Sequence, residues 1–151
     1  MGDGSGNSAD LKALVVPFYT EFMTADPQVD VDKVVERMER LISDDLGSAS
    51  NVDGEPTGKQ KLLATGRAFV KLMPDFKMEP LEILRDGDKV IVRTIASGTP
   101  TGSFKGIECD GSRSFQMTTI EIITFKNNQI VEVHHADDWF TAMKQLLAVG
   151  C

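Results

Sequence analysis

The sequence predicts an α+β fold in which a curved, cone-shaped antiparallel sheet wraps N-terminal helices. Two observations carry this prediction. Apolar residues recur with a helical period in the first half of the chain, and from Phe76 onward they alternate with polar residues, as in strands with one buried face. Helices followed by hairpin-connected strands are typical of folds with helices on one face of an antiparallel sheet. A concave sheet covered in this way encloses one pocket.

Three helices are predicted in the first half. The first covers residues 9–24 and the second residues 30–43, each with apolar residues on one side. The third begins at Thr57 or Gly58 and ends at Pro74, because proline cannot continue a helix. The segment between the second and third helices is rich in Gly, Ser, Asp and Asn, and we expect it to be mostly loop with one short strand.

Four strands and a closing helix are predicted in the second half. The strands cover residues 77–85, 89–98, 113–125 and 130–137, and their turns contain the Gly, Asn and Asp residues that hairpins favour. A short amphipathic helix then covers residues 139–149.

Composition and charge limit the classes of partner. A chain of 151 residues with 41% hydrophobic content can form one sizeable core, so we expect a flexible tail over residues 1–8 and a single domain over 9–151. The net charge of −7 argues against nucleic acid partners. The chain has no apolar run long enough to span a membrane and no signal peptide pattern, so we expect a cytoplasmic protein without membrane contacts.

The densest polar cluster lies at the end of the last strand. Alternation from Ile130 places His134 and Asp138 on one face, where an apolar pocket would raise the pKa of a carboxylic acid and suit it to proton transfer. A bulge would shift the pattern by one residue, so that His135 and Asp137 enter the cavity and Asp138 only caps the closing helix. Adjacent histidines on a strand point to opposite faces, so we expect no metal site.

Three further residues are candidates for ligand binding. Arg93 interrupts an apolar strand and could bind a substrate carbonyl, or it could pair with Glu82 or Glu121 on a neighbouring strand. Asn51 could lie at the cavity mouth, although a plain turn asparagine explains it as well. Trp139 could line the cavity or belong to the core.

Several segments of the second half have the order and spacing of one known family. They are residues 98–107, 110–113, 120–125 and 128–132, followed by Asp138 and residues 143–146. Together they resemble the run from the long hairpin to the closing helix of the SnoaL-like polyketide cyclases, within the nuclear transport factor two-like superfamily. The resemblance implies a cystatin-like α+β barrel with a largely apolar cavity. It also places Asp138 at the acid/base position, and His134 where relatives usually carry Trp.

The resemblance implies a cofactor-independent cyclase or isomerase-type enzyme that acts on a hydrophobic, carbonyl-containing small molecule. In such enzymes the extended aromatic system of the substrate stabilises the enolate. Two related chemistries fit less well: the catalytic aspartate of ketosteroid isomerases would fall near Ser50, and the Arg-x-Asp pair of limonene epoxide hydrolases has Ile95 in place of the acid. A non-catalytic ligand-binding or dimerisation module is the alternative function.

A homodimer is the expected assembly. The family implies it, and the strand over residues 120–125 is apolar on both faces, so that its outer face needs a partner.

Overall fold

A computed structural model describes residues 10–49 and 57–147. The helices and strands follow the predicted order, with four helices and seven strands in the described part of the chain. They are α1 (Leu11–Pro17), a π-helical turn (Phe18–Phe22), α2 (Val31–Leu41), β1 (Ile42–Ala49), α3 (Lys59–Leu72), β2 (Lys77–Asp86), β3 (Lys89–Gly98), β4 (Thr101–Phe104), β5 (Ile107–Asp110), β6 (Phe115–Lys126), β7 (Gln129–Asp137) and α4 (Trp139–Leu147). No helix in these ranges is both long and apolar enough to cross a membrane.

The main sheet has five strands in the order β1-β7-β6-β3-β2. The pairs β2–β3, β3–β6 and β6–β7 are antiparallel, as predicted. The fifth strand, β1, lies in the segment that was expected to be mostly loop, and it pairs parallel with β7. A second difference is the β4–β5 hairpin, which forms a separate two-stranded sheet within the long connection after β3.

The first helix changes its period at Pro17. Asp10 caps the helix by accepting a hydrogen bond from the backbone N–H of Ala13. Proline has no N–H to donate to the preceding turn. The chain continues as a π-helical turn, in which Met23 N donates to Phe18 O at 2.8 Å. This turn points the fully buried side chain of Tyr19 towards the sheet.

The core lies between the helices and the inner face of the main sheet. Strand β6 alternates strictly between buried and exposed residues along its first half, and its buried positions face the helices. The hairpin closes one end of this core with Phe104, whose ring centroid lies 6.0 Å from that of Phe115 and 5.8 Å from that of Trp139. One continuous apolar cluster joins the helices, the sheet and the hairpin.

A β-bulge in β7 decides which residues face the core. Thr124 pairs with Glu132, but the next residue, Phe125, pairs with Ile130, so Val131 is an extra residue on β7. After the bulge the alternation is displaced by one position. The inner face of β7 beyond it therefore carries odd-numbered residues, from Val133 to Asp137.

Candidate active site

A cavity of about 140 Å³ lies between the inner face of the sheet and the helices. Its walls come from α1, the π-helical turn, α3 and the start of α4 on one side, and from the inner face of the main sheet on the other. Most of its lining is apolar or aromatic. The principal apolar residues are Val15, Phe18, Met23, Leu62, Phe69, Phe76, Met78, Met117, Ile123, Ile130, Val133 and Trp139.

Five polar side chains form one end of this cavity. Glu121 and Thr119 project from β6, and they pair across the strands with His135 and Asp137 of β7, respectively. Tyr19 reaches the same place from the π-helical turn. We call these five residues the polar cluster. Such a group of titratable side chains within an apolar cavity is the usual arrangement of a small-molecule site.

Glu121 is the most deeply buried acid of the polar cluster, with 7% of its surface exposed. Tyr19 Oη donates a hydrogen bond to Glu121 Oε1 at 2.9 Å, and Thr119 Oγ1 lies 3.5 Å from the same oxygen. Thr119 is in turn hydrogen bonded to Thr94 of β3. Burial raises the pKa of Glu121 to about 7, against the opposing effect of the Tyr19 hydrogen bond. Near neutral pH this side chain therefore exchanges between acid and carboxylate.

His135 and Asp137 form a second pair in the polar cluster. His135 Nδ1 lies 3.2 Å from Asp137 Oδ2, and the side chain of Asp137 is 16% exposed. The hydrogen bond to Asp137 raises the pKa of His135 above its ordinary value, although burial acts in the opposite direction. Because Nδ1 is held by the carboxylate, Nε2 is the ring nitrogen left for a ligand.

The polar cluster also has the elements of a cation site. Ligand atoms of Glu121, His135 and Asp137 all lie within 4.8 Å of one another. Imidazole and carboxylate groups are ligands that divalent transition metals accept. However, the hydrogen bond between His135 and Asp137 already engages one potential ligand atom of each residue. The geometry fits proton transfer as it stands, whereas a metal bound through these atoms would have to displace the proton that His135 and Asp137 share.

Asp138 and His134 do not share the cavity, so their predicted placement is wrong. Asp138 is exposed and caps α4, accepting hydrogen bonds from Thr141 N at 3.1 Å and Thr141 Oγ1 at 2.6 Å. These bonds lower the pKa of Asp138. His134 lies on the outer face, with Nε2 3.3 Å from Glu132 Oε1. The bulge at Val131 causes the difference, and the structure has the alternative arrangement, with His135 and Asp137 inside.

The three ligand-binding candidates have different outcomes. Arg93 lies on the outer face of the sheet, where its Nε is 3.2 Å from Glu82 Oε1. The interpretation of Arg93 as a ligand-binding residue of the cavity is therefore wrong. The alternative, an ion pair with Glu82, is confirmed. Trp139 lines the cavity, and Lys105 Nζ lies 4.3 Å from its ring centroid. Its contact with a ligand stays a prediction. Asn51 lies outside the described residues.

The sequence contains a signal for Glu121 in the inward-facing positions of β6. In β6 the inward positions run Phe115, Met117, Thr119, Glu121, Ile123. An acid in phase with large apolar residues is a buried polar group, and such groups are frequently functional. Tyr19 gave no comparable signal, because a helical period does not reveal a π-helical turn.

A family model described as SnoaL-like polyketide cyclase matches residues 13–146. No curated protein matches the chain by sequence. The similar solved structures include IdmH from Streptomyces antibioticus, a provisionally assigned polyketide cyclase. It is 23% identical with a TM-score of 0.72, over 91% of this chain and 98% of IdmH.

Two other structures are similar over nearly the whole chain. A provisionally assigned SnoaL-like polyketide cyclase from Jannaschia sp. CCS1 has a TM-score of 0.78 and 17% identity, over 99% of both chains. An LEH-like epoxide hydrolase of M. tuberculosis has a TM-score of 0.66 and 15% identity, over 93% of this chain and 92% of the hydrolase. These likenesses confirm the predicted fold, a curved antiparallel sheet with helices, although the sheet remains open and does not close into a barrel.

Proposed function

Because the chain belongs to the SnoaL-like polyketide cyclase family, we propose that it is a cofactor-independent enzyme that transfers a proton on a hydrophobic, carbonyl-containing small molecule. The His135–Asp137 pair is the acid/base group. The observation that carries this proposal is the 3.2 Å contact between His135 Nδ1 and Asp137 Oδ2 at the polar end of an apolar cavity.

The pair suits proton transfer at neutral pH. Asp137 accepts the Nδ1 proton of His135 and so fixes the tautomer in which Nε2 can take a proton from a substrate carbon. The hydrogen bond to Asp137 also raises the pKa of His135, which makes the ring a stronger base. A general base is most effective when its pKa lies near the working pH.

The cavity lining favours a neutral substrate. Among the described residues that line it, the charged or titratable groups are Glu121, His135, Asp137 and Tyr19, and none is Lys or Arg. A substrate carboxylate or phosphate would therefore lose its hydration without gaining a Lys or Arg partner, and the His135 ring is already paired with Asp137. An apolar molecule with a ketone group avoids that cost, and exclusion of water strengthens the electrostatic contacts around the reacting atoms.

Exchange of carbon-bound protons in heavy water tests the proposal without knowledge of the natural substrate. The probe is 2-tetralone, an apolar bicyclic ketone with acidic protons beside its carbonyl, and NMR follows the loss of those proton signals. We expect the wild-type protein to accelerate the exchange. Asp137→Asn should reduce the protein-dependent rate about 100-fold, because the amide no longer fixes the tautomer of His135.

Asp138→Asn is the matched control, since it makes the same substitution at the adjacent, exposed residue. It should leave the exchange rate unchanged. Loss of exchange in this variant with full activity in Asp137→Asn would return the acid/base role to Asp138. Binding of 2-tetralone without any accelerated exchange would favour a non-catalytic binding module. Exchange that disappears with EDTA and returns with a divalent cation would assign the polar cluster to a metal instead.

A further inference from the structure

We propose that the carboxylic acid of Glu121 donates a hydrogen bond to the carbonyl oxygen of the bound substrate, and to the enolate oxygen that forms when the proton is removed. Tyr19 is the positioning residue that holds this acid in place. The inference rests on the proposed function, because it identifies the group that stabilises the oxygen while the His135–Asp137 pair moves the proton.

The hydrogen bonds of Glu121 leave one oxygen available. In the described part of the chain, both contacts to the carboxyl group, from Tyr19 Oη and Thr119 Oγ1, reach Oε1. An acid that accepts through one oxygen carries its proton on the other, so Oε2 is the donor that a ligand can meet. Burial raises the pKa of Tyr19 well above its ordinary value, which keeps its hydroxyl a donor to Oε1.

The surroundings of Glu121 favour the neutral acid. The titratable groups that face it are Tyr19 from the π-helical turn and His135 and Asp137 from β7, while its β3 neighbour in the sheet is the apolar Val92. The one potential cation among them, His135, is already paired with Asp137. A carboxylic acid kept un-ionised by its surroundings can serve as a strong hydrogen bond donor to an oxyanion.

The spacing allows one small ketone to meet both groups. The ligand atoms of Glu121 and His135 lie within 4.8 Å of each other. A donor about 3 Å from a carbonyl oxygen and a base about 3 Å from the neighbouring carbon are the distances that such a reaction requires. A ketone whose carbonyl oxygen meets the carboxylic acid of Glu121 therefore has its neighbouring carbon, two bonds from that oxygen, within reach of the His135 ring.

The proton and electron balance closes without a co-reactant. His135 Nε2 takes the proton from the carbon beside the carbonyl. The electron pair of that C–H bond forms the new C=C bond, and the π pair of the C=O bond moves to oxygen. The Glu121 hydrogen bond strengthens as charge develops there. His135 then returns the proton to carbon, which regenerates both groups.

This assignment widens the substrate class beyond the one that the family implies. If the protein itself stabilises the enolate oxygen, the substrate does not need an extended aromatic system to do so. Ketones without long conjugation therefore belong to the substrate class of this chain.

A comparison of 2-tetralone with tetralin, the same ring system without the carbonyl, tests the hydrogen bond directly. Binding is measured by the fluorescence of Trp139, which lines the cavity and is the one tryptophan in the sequence. At about pH 6 we expect the ketone to bind roughly fivefold more tightly, the value of one hydrogen bond between neutral groups. As the pH rises above about 7, Glu121 ionises and becomes an acceptor only, so the preference should disappear.

Two variants separate Glu121 from the other groups. Glu121→Gln keeps an N–H donor but cannot ionise, so it should retain part of the ketone preference at every pH. Tyr19→Phe should reduce the preference at about pH 6, because Oε1 loses its donor. Glu82→Gln, on the outer face, is the matched control and should behave as the wild type.

Three results would overturn the assignment: a ketone preference that increases with pH, one that does not change with pH in the wild type, or a pH dependence that persists in Glu121→Gln. If Glu121→Gln does not fold, Asp137→Asn separates the two titrating groups, because it lowers the pKa of His135: a ketone preference that is lost at the wild-type pH in this variant belongs to Glu121, and one that is lost at lower pH belongs to His135 and overturns the assignment. Failure of the proposed function has a different signature, in which the ketone preference is present but proton exchange is not accelerated.

Discussion

Replacing Glu121 with glutamine should change how stability depends on pH. The free energy of unfolding of Glu121→Gln, compared with that of the wild type, should be more favourable at alkaline pH than at acidic pH. The reason is that burial raises the pKa of this acid from 4.5 in the unfolded chain to about 7 in the folded protein. Between these values the folded state binds a proton that the unfolded state has lost. The wild type therefore loses stability as the pH rises through this window, and glutamine, which does not titrate, removes the effect.

The magnitude follows from the two pKa values. Their difference is about 2.5, and each pKa unit corresponds to about 1.4 kcal/mol, so the full effect is about 3 kcal/mol. At pH 5.5 about 2 kcal/mol of it is present, and at pH 8 almost none remains. The raised pKa of His135 acts with the same sign, but that residue is present in both proteins and its effect largely cancels in the comparison.

Urea unfolding of both proteins at the two pH values measures this difference. The free energy of unfolding of Glu121→Gln, minus that of the wild type, should increase by about 2 kcal/mol from pH 5.5 to pH 8. A difference that is the same at the two pH values would show that Glu121 has an ordinary pKa and would refute the argument. A difference that decreases would show that the carboxylate form is the one the fold stabilises.

Three further outcomes follow from the structure. Asp138→Ala should lower the melting temperature, since α4 loses its cap, while proton exchange on 2-tetralone stays unchanged. Gly66→Ala should not give the gain of about 1 kcal/mol that this change gives in an open helix, because its Cβ would lie 2.5 Å from a ring carbon of Phe22; a gain of that size in a urea titration would contradict that packing. We also propose that the outer face forms a homodimer, so Ile122→Glu should convert a dimer to a monomer in sedimentation experiments. A monomeric wild type at micromolar concentration would count against this proposal.

The change of period near Phe76 was sufficient to predict the order of helices and strands and the antiparallel meander. Strand β1 was not predicted in full, because its sequence, ISDDLGSA, has no apolar alternation. Strand β1 pairs with β7, which is distant in the sequence, and a local sequence pattern cannot reveal such a pairing. The β4–β5 hairpin is too short, at four residues in each strand, to give a periodic signal.

The predicted site residues, His134 and Asp138, each differ by one position from the observed ones, and the bulge in β7 is the reason. Alternation from Ile130 is a sound rule for a regular strand, but the extra residue Val131 shifts every side chain that follows it. A bulge depends on the partner strand and leaves no mark in the sequence of β7 alone. The prediction of an acid and a histidine together in an apolar cavity agrees with the structure, whereas the residues that fill those roles are His135 and Asp137.

An NMR titration of the two histidines of the chain tests directly which of them faces the cavity. We expect 2-tetralone to shift the ring signals of His135 and not those of His134. We also expect the pKa of His135 to lie above its ordinary value and to decrease in Asp137→Asn, because the hydrogen bond to Asp137 is the main cause of the increase. A ligand-induced shift confined to His134, or a pKa of His135 that the Asp137→Asn substitution leaves unchanged, would show that the bulge does not bring this pair into the cavity.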